Sequence, residues 1–340
     1  MASRVRLATL PTALEACPGL GAAIGAPGLL TKRDDLAGAE YGGNKVRKLE
    51  YLLGDALDRG CDAVVTFGAA GSNHALATAI YARQVGLTCW AVLTDQVETP
   101  WVANTLRWHG LLGTRLLHGT GFAATGLAAE RLRASHPAGP QALYEVPWGG
   151  SSPQGSLGFV DAGTELATQL AAAGLTAPVR VYLPCGTMGS VAGLLAGLGR
   201  AGVAATVVSV KVVPQNVVDA AAVLQLTRET ERLLPPPALT SGKRHRASLE
   251  FRPEFAGEGY ALPTPEAREA LALARDLAGF SLDTTYSGKA LACLISDART
   301  GRLEGHIPVF WQTWNSRPYP AELAAVDTTR LPAEFQKFFA

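Results

Sequence analysis

The sequence predicts an α/β protein with two open, doubly wound sheets, and three observations carry that expectation. Short runs rich in β-branched residues alternate with amphipathic Ala/Leu segments, Gly-rich turns join them, and the apolar runs are nearly continuous rather than alternating. Strands buried on both faces have that texture, and helices on either side of a parallel sheet supply the burial. At 340 residues the chain exceeds one ordinary core and suits two domains.

The elements follow in order. From Asn44 onward the pattern starts a helix whose apolar face is Leu49, Leu52 and Leu53. Residues 63–67 read as a strand, Gly68 to Gly71 as its turn, and 73–85 as a helix. A strand is predicted at 88–93 and a helix at 102–108. Residues 146–158, with Pro147, Gly149, Gly150 and Pro153, carry loop chemistry, and a long helix follows at 159–173. Strands are predicted at 179–184 and 205–210, with a Gly-rich turn and a helix through Leu194 and Leu195 between them. A boundary near 146–158 and another near 48–53 make 50–157 a small α/β domain inserted in a larger one of 1–49 and 158–340.

Composition narrows the function classes. A formal net charge of +1 gives no reason to expect nucleic acid or an anionic membrane as partner. Cys17, Cys61, Cys89, Cys185 and Cys293 are scattered and form no C-x-x-C pair, so neither a zinc site nor a disulfide framework is expected. A reducing cytoplasm is the default location for such a chain. The six histidines lack ligand spacing, and no metal site is expected. No run approaches ~20 uninterrupted apolar residues, so no transmembrane helix is expected, and residues 1–6 do not lead into a signal peptide. The Pro235–Pro236–Pro237 triplet and the basic cluster Lys243, Arg244, His245 and Arg246 read as a solvated surface loop.

Three segments carry chemistry. In Tyr41-Gly42-Gly43-Asn44-Lys45-Val46-Arg47-Lys48-Leu49-Glu50 a glycine pair leads into a helix start. A lysine there lies near the positive end of the helix dipole, which lowers its pKa and suits a Schiff-base nucleophile. Spacing alone favours a solvated helix face bearing Lys45, Arg47 and Lys48. In Thr66-Phe67-Gly68-Ala69-Ala70-Gly71-Ser72-Asn73-His74 a strand ends and a helix starts at Ser72-Asn73. Free backbone N–H groups there bind a carboxylate, although Ser72 also reads as a plain N-cap and His74 as a packed histidine. In Pro184-Cys185-Gly186-Thr187-Met188-Gly189-Ser190-Val191-Ala192-Gly193 the glycines match neither the dinucleotide nor the triphosphate fingerprint. What remains is either a backbone nest with Thr187 and Ser190 hydroxyls, sized for one phosphate, or a close helix–strand packing turn. Cys185 reads as a small buried filler rather than a nucleophile.

At these residues the chain resembles the D-cysteine desulfhydrase and 1-aminocyclopropane-1-carboxylate deaminase family of fold type II, tryptophan synthase β-like enzymes dependent on pyridoxal phosphate. Further matching pieces are Pro147, Gly149-Gly150-Ser151-Ser152-Pro153 with Gly155 and Gly158, then Gly257-Glu258-Gly259-Tyr260, then Leu282-Asp283-Thr284-Thr285-Tyr286-Ser287-Gly288-Lys289-Ala290. They run in order from about Thr31 to about Phe310. The resemblance implies pyridoxal 5'-phosphate held as a Schiff base on Lys45, which later moves the α-proton. It implies that Asn73 bonds the cofactor's phenolic oxygen and that Ser72, with its neighbouring amides, grips the substrate carboxylate or transfers a proton. Gly186, Thr187, Met188, Gly189 and Ser190, with Cys185 beside them, would cradle the phosphate. Tyr286 would pack on the cofactor ring, Tyr260 would reach the substrate, and Ser287 or Thr313 would meet the pyridine nitrogen. His74, Gly150 and Trp314 complete the expected substrate site. A homodimer is also implied.

A hydroxyl partner at the pyridine nitrogen gives a weaker electron sink than a carboxylate, which is enough for elimination. Ring-opening deaminases are associated with glutamate immediately after the tyrosine, where this chain has Ser287; elimination is therefore expected over ring opening. Two departures bear on the substrate. Many members carry Gln where this chain has Gly71, and the common His-Thr-Gly-Gly segment is here Gln312-Thr313-Trp314-Asn315. The expected activity is α,β-elimination on D-cysteine or a related β-substituted amino acid. Alternatives are a C–S lyase, β-replacement enzyme or racemase acting on a larger amino acid, a 1-aminocyclopropane-1-carboxylate deaminase, and, remotely, a non-catalytic pyridoxal phosphate-binding protein.

Overall fold

In the computed structural model the alternating apolar runs become strands, and the Ala/Leu segments become the helices between them. The structure describes residues 3–99, 101–213, 218–236 and 247–339, so Pro237 and the basic cluster 243–246 lie outside the described residues. In chain order the elements are β1 (Leu14–Ala16), α1 (Pro18–Ile24), β2 (Leu30–Lys32), α2 (Lys45–Asp58), β3 (Ala63–Ala69), α3 (Asn73–Gln84) and β4 (Thr88–Thr94). Then come α4 (Val102–Leu112), β5 (Arg115–Gly119), α5 (Phe122–Ala134), β6 (Leu143–Val146), α6 (Pro153–Ala172), β7 (Val179–Cys185) and α7 (Gly189–Ala201). The chain finishes with β8 (Ala205–Lys211), α8 (Ala220–Glu231), β9 (Ser248–Arg252), α9 (Pro265–Ala278), α10 (Ser287–Arg299) and β10 (Ile307–Trp311), followed by short 3-10 turns.

These elements form two compact units. One comprises Met1–Leu7, Leu49–Gly150 and Arg317–Ala340; the other comprises Ala8–Lys48 and Ser151–Ser316. The division falls inside α2, between Lys48 and Leu49. The terminal segments, expected with the larger domain, pack with the smaller one for physical reasons. The Arg4 guanidinium donates to Glu50 at 2.6 and 2.9 Å, and the Leu7 N–H donates to the same carboxylate at 2.9 Å. Phe335 and Phe338 are buried against Ala75, Leu93, Val102 and Leu106.

The smaller unit holds a parallel four-stranded sheet ordered β5-β4-β3-β6. One face packs Val65, Phe67 and Val92 onto Ala129, and the other buries Leu93 and Ala91. The larger unit holds a six-stranded sheet ordered β1-β2-β10-β7-β8-β9, parallel except for the β1–β2 pair. Successive residues of β7 face opposite sides, as a pleated strand requires. Val181 and Leu183 pack with Phe159, Leu166 and Leu194 of α6 and α7, while Tyr182 packs with Leu291 and Leu294 of α10.

Helix α6 begins at Pro153, six residues before the predicted start at Phe159. Ser152 caps it, accepting the Gly155 N–H at 3.1 Å, and Pro153 suits the first helical position. Gly158 is needed because a Cβ there would stand 2.0 Å from the Arg47 carbonyl oxygen. Among the described residues no helix is long and apolar enough to cross a membrane.

Candidate active site

Each sheet has a point where strand order reverses, and ligands of open α/β sheets bind beyond the carboxyl ends of the strands there. In the larger unit β8 and β9 lie on one side of β7 and β10 on the other, so the reversal lies between β7 and β10. The turn after β7 is Gly186-Thr187-Met188, and Thr313 follows β10. In the smaller unit β4 and β5 lie on one side of β3 and β6 on the other. The turn after β3 leads to Ser72, and Pro147 follows β6. The glycine-rich turns singled out in the sequence therefore lie at the two reversals.

Lys45 is the first residue of α2, reached from the reversal of the larger sheet. The Asn44 N–H donates to the Thr313 carbonyl at 3.1 Å, and the Gly42 N–H donates to Asn315 Oδ1 at 2.6 Å. A Cβ on Gly43 would stand 2.8 Å from the Thr313 oxygen, so the glycine pair lets the strap lie against the end of β10. Lys45 is half-buried, and its Nζ donates to Asn44 Oδ1 at 3.1 Å. Desolvation lowers its pKa to about 8, while the Asp283 carboxylate pulls the other way.

The turn between β7 and α7 has the form of an anion cradle. Met188 holds φ 70°, a left-handed backbone that is uncommon for a residue with a side chain, and it caps α7. The Gly189 N–H donates to Ser151 Oγ at 3.1 Å, and Ser151 Oγ bonds Thr187 Oγ1 at 2.7 Å. Lys48 Nζ donates to the same Ser151 hydroxyl at 3.2 Å. A Cβ on Gly189 would come within 2.7 Å of Ser151 Oγ and 2.9 Å of Lys48 Nζ. Lys48 is buried, and burial first, then the Lys45 charge, hold its amine well below the usual lysine range. A buried amine facing hydroxyls and a helix start fits one phosphate group, whose charge would favour the ammonium form of Lys48. Cys185 is buried in the same turn and burial pushes its thiol up, so it is no nucleophile.

The side of the cradle is made by α10. Asp283 Oδ1 accepts the N–H of Tyr286 at 2.7 Å and of Ser287 at 2.8 Å, which fixes the tyrosine at the helix start. The Tyr286 ring stands 3.4 Å from where a side chain on Gly186 would begin. Its hydroxyl is bonded to that of Tyr260, with the rings edge to face at 6.1 Å. Burial pushes Tyr260 up to about 12 and raises Tyr286 further, so both stay protonated at neutral pH. Lys289 Nζ donates to the Ala256 carbonyl at 2.5 Å and holds the Gly257–Tyr260 segment to α10. Ser287 Oγ bonds the Asp283 backbone and carboxylate at 2.9 and 3.2 Å. Trp314 follows Thr313, its N–H donating to Gln312 Oε1 at 3.3 Å.

The smaller unit carries the rest of the predicted residues. Ser72 caps α3, accepting the Ala75 N–H at 3.2 Å, and Asn73 is the first helical residue. His74 is buried, its Nε2 3.1 Å from both Thr66 Oγ1 and the Pro147 carbonyl. Gly150 closes a turn, its N–H donating to the Pro147 oxygen at 2.8 Å. At Gly71, the N–H donates to Gln96 Oε1 at 2.8 Å, and a Cβ would meet Gln96 Nε2 at 3.0 Å. Gln96 thus fills the place that a side chain at 71 would take.

Sequence reasoning gave no role to Lys48, Ser151 or Asp283. Lys48 lies three residues after Lys45, a spacing that puts both on one helix face. Asp283 stands three residues before Tyr286, at the spacing of a helix-start cap. Ser151 had no signal beyond its place in the Gly-Gly-Ser segment.

Comparison with known proteins bears on the family and the fold. The family model described as pyridoxal-phosphate dependent enzyme matches residues 5–310. The chain is 35% identical over 335 residues to nocardicin C-9' epimerase of Nocardia uniformis subsp. tsuyamanensis, covering 94% of this chain and 97% of that one. It is 31% identical over 315 residues to D-cysteine desulfhydrase of Salmonella choleraesuis strain SC-B67, covering 91% and 92%. A solved 1-aminocyclopropane-1-carboxylate deaminase homologue superposes with a TM-score of 0.78 at 30% identity, covering 95% of this chain and 96% of that one. The fold is that of the fold type II enzymes, and the chain belongs to the pyridoxal-phosphate dependent enzyme family.

Proposed function

We propose that the chain catalyses α,β-elimination on D-cysteine or a related β-substituted amino acid, releasing the β-group and ammonia, with Lys45 as the covalent anchor of pyridoxal phosphate. The observation that carries the reading is the desolvated amine of Lys45, held in one unit with a phosphate-sized cradle and a pair of protonated tyrosines. Bound pyridoxal phosphate supplies an electron sink for the bond broken at the α-carbon.

The protein's own groups do the rest. Lys48, Ser151, Thr187, Ser190 and the amides at Gly186, Met188 and Gly189 hold the phosphate. Lys45, as a free amine of pKa about 8, takes the proton from the α-carbon. Tyr260, protonated and bonded to Tyr286, is the group assigned to hand a proton to the departing β-group, which its expected reach to the substrate supports. Ser287 is engaged with Asp283, which favours Thr313 for the pyridine nitrogen. The resemblance supports Asn73 at the phenolic oxygen and Ser72 at the substrate carboxylate, with His74, Gly150 and Trp314 shaping the substrate site. It also supports a homodimer, and a cytoplasmic location belongs to the same proposal.

A second reading is epimerisation of a larger amino acid, favoured by the 35% identity to an epimerase over 94% of the chain. Both begin with removal of the α-proton; they differ in whether a β-group leaves or a proton returns. Borohydride reduction of the holoenzyme followed by peptide mass mapping locates the anchor, and a label on any lysine but Lys45 sinks both readings. Incubation with D-cysteine and with larger amino acids in deuterated water then separates them. Pyruvate and sulfide support elimination, and deuterium at an inverted α-carbon without pyruvate supports epimerisation. Retained cofactor with no α-hydrogen exchange in any amino acid tested overturns the enzymatic proposal.

A further inference from the structure

Among the described residues the side-chain hydrogen bond of Lys45 goes to its own neighbour Asn44, so both the amine and its partner are carried by one stretch of backbone. That backbone is gripped on both sides by one residue. Asp34 is wholly buried. Its carbonyl oxygen accepts the Gly43 N–H at 2.7 Å, two residues before the lysine. Its carboxylate takes the Arg47 guanidinium in a fork, Nε to Oδ2 at 2.9 Å and Nη2 to Oδ1 at 2.8 Å, two residues after it.

The grip is itself braced. Trp311, the last residue of β10, donates Nε1 to Asp34 Oδ2 at 2.8 Å, and the Thr12 hydroxyl donates to Oδ1 at 2.9 Å. The far side of Arg47 forks onto Glu165 of α6 with two bonds of 3.0 Å. Burial works against the Glu165 charge, but the bonds to Arg47 and the Lys32 charge outweigh it and bring its pKa to about 2. Glu165 therefore keeps its charge at neutral pH. The α6 backbone meets Arg47 where only glycine fits, at Gly158, which closes off movement on that side.

We propose that Asp34 is a positioning residue for the reactive lysine, fixing the first turn of α2 so that the Lys45 amine meets the cofactor's carbonyl carbon in one geometry. The proposal rests on Lys45 being the anchor. Two charge forks meeting on one buried guanidinium are costly to desolvate and are a weak source of net stability, whereas they define orientation sharply. Placement matters at a reacting atom, where a misplacement of about 1 Å costs on the order of a hundredfold in rate.

The test compares Asp34→Asn with Asp297→Asn. Asp297 is equally buried and holds Arg180 and Arg252 in a network that includes none of the site residues. Apoprotein of each variant is mixed with pyridoxal phosphate, and the rate of covalent capture is followed by absorbance, alongside the urea midpoint, kcat and KM. Both variants are expected to lose stability. Asp34→Asn is expected to slow capture by about ten- to a hundredfold and to lower kcat with little change in KM, while Asp297→Asn captures at the wild-type rate. Equal capture rates in the two variants overturn the proposal. If Asp34→Asn does not fold, Trp311→Phe removes the Nε1 brace and keeps an aromatic side chain there; a several-fold slowing is expected, and an unchanged rate overturns the proposal. Borohydride labelling separates the two failures: a label elsewhere than Lys45 removes the functional reading, whereas a label on Lys45 with unchanged capture removes only the role of Asp34.

Discussion

The carboxamide nitrogen of Asn44 donates to the hydroxyl of Ser190 across 3.0 Å, tying the start of α2 to the start of α7. Its carboxamide oxygen accepts from Lys45 at 3.1 Å, so one side chain links the Lys45 amine to the proposed phosphate cradle. Asn44→Ala leaves both partners without it in a buried setting, and affinity for pyridoxal phosphate is expected to fall about tenfold. Asn44→Asp keeps the acceptor for Lys45 but adds a negative charge at the cradle. It should weaken pyridoxal phosphate more than the alanine variant does, and pyridoxal less. Equilibrium titration of the apoprotein with both ligands checks the order, and wild-type affinity in both variants removes the role.

Lys48 gives a sharper test of the cradle. Its amine is buried and shares Ser151 Oγ with the Gly189 N–H and Thr187 Oγ1. A charge-assisted bond to phosphate contributes about 1.5–3 kcal/mol, so Lys48→Met should weaken pyridoxal phosphate roughly ten- to a hundredfold. Pyridoxal, which lacks the phosphate, should bind the variant at least as well as it binds wild type. Equal losses for the two ligands would place Lys48 in packing rather than in phosphate recognition.

The fold was legible wherever local chemistry decided it. Predicted strands at 63–67, 88–93, 179–184 and 205–210 are β3, β4, β7 and β8, because β-branched runs between Gly-rich turns suit only a covered parallel sheet. Strand β10 was missed although it lies at the heart of its sheet, since Pro308 argues against a central strand. The segments of the proposed cradle and of Lys45 were singled out in the sequence, their roles resting on the resemblance, while the cluster of Thr12, Asp34, Arg47, Glu165 and Trp311 was not. Its hydrogen-bonded members lie up to 277 residues apart, as Asp34 and Trp311 do, and no period or spacing links them before the chain folds. The exchange of a side chain at 71 for that of Gln96 was hidden for the same reason.

The pKa of Lys45 sets a pH profile. Below about 8 the amine is an ammonium and cannot attack a carbonyl; above it the free base predominates. Capture of pyridoxal phosphate by the apoprotein is expected to rise with pH and level off above a midpoint near that value. Burial raises the Asp283 carboxyl to about 6, so its charge is present around this midpoint and favours the ammonium of Lys45. Asp283→Asn keeps the acceptor for the Tyr286 and Ser287 N–H groups and removes the charge. The midpoint should therefore move down. Lys48 also borders Lys45, and the Asp283 charge acts on Lys289, Tyr260 and Tyr286 as well. A midpoint that stays put or moves up removes the electrostatic link.

Ser72 separates a helix cap from a substrate contact. Its hydroxyl accepts the Ala75 N–H at 3.2 Å, which by itself accounts for a serine at the start of α3. Ser72→Ala is expected to cost about 1 kcal/mol of stability through the lost cap alone, whereas glycine at an N-cap costs only a few tenths. Ser72→Gly therefore removes the hydroxyl while nearly keeping the helix. If Ser72 grips the substrate carboxylate, both variants should raise KM about tenfold, while only the alanine variant shows a lowered urea midpoint. A glycine variant with wild-type KM would reduce Ser72 to a cap and leave carboxylate binding to the backbone amides at the start of α3. A rise in KM that follows the loss of stability, large in alanine and small in glycine, would have the same meaning, because the helix start rather than the hydroxyl would then be the feature that the substrate reads.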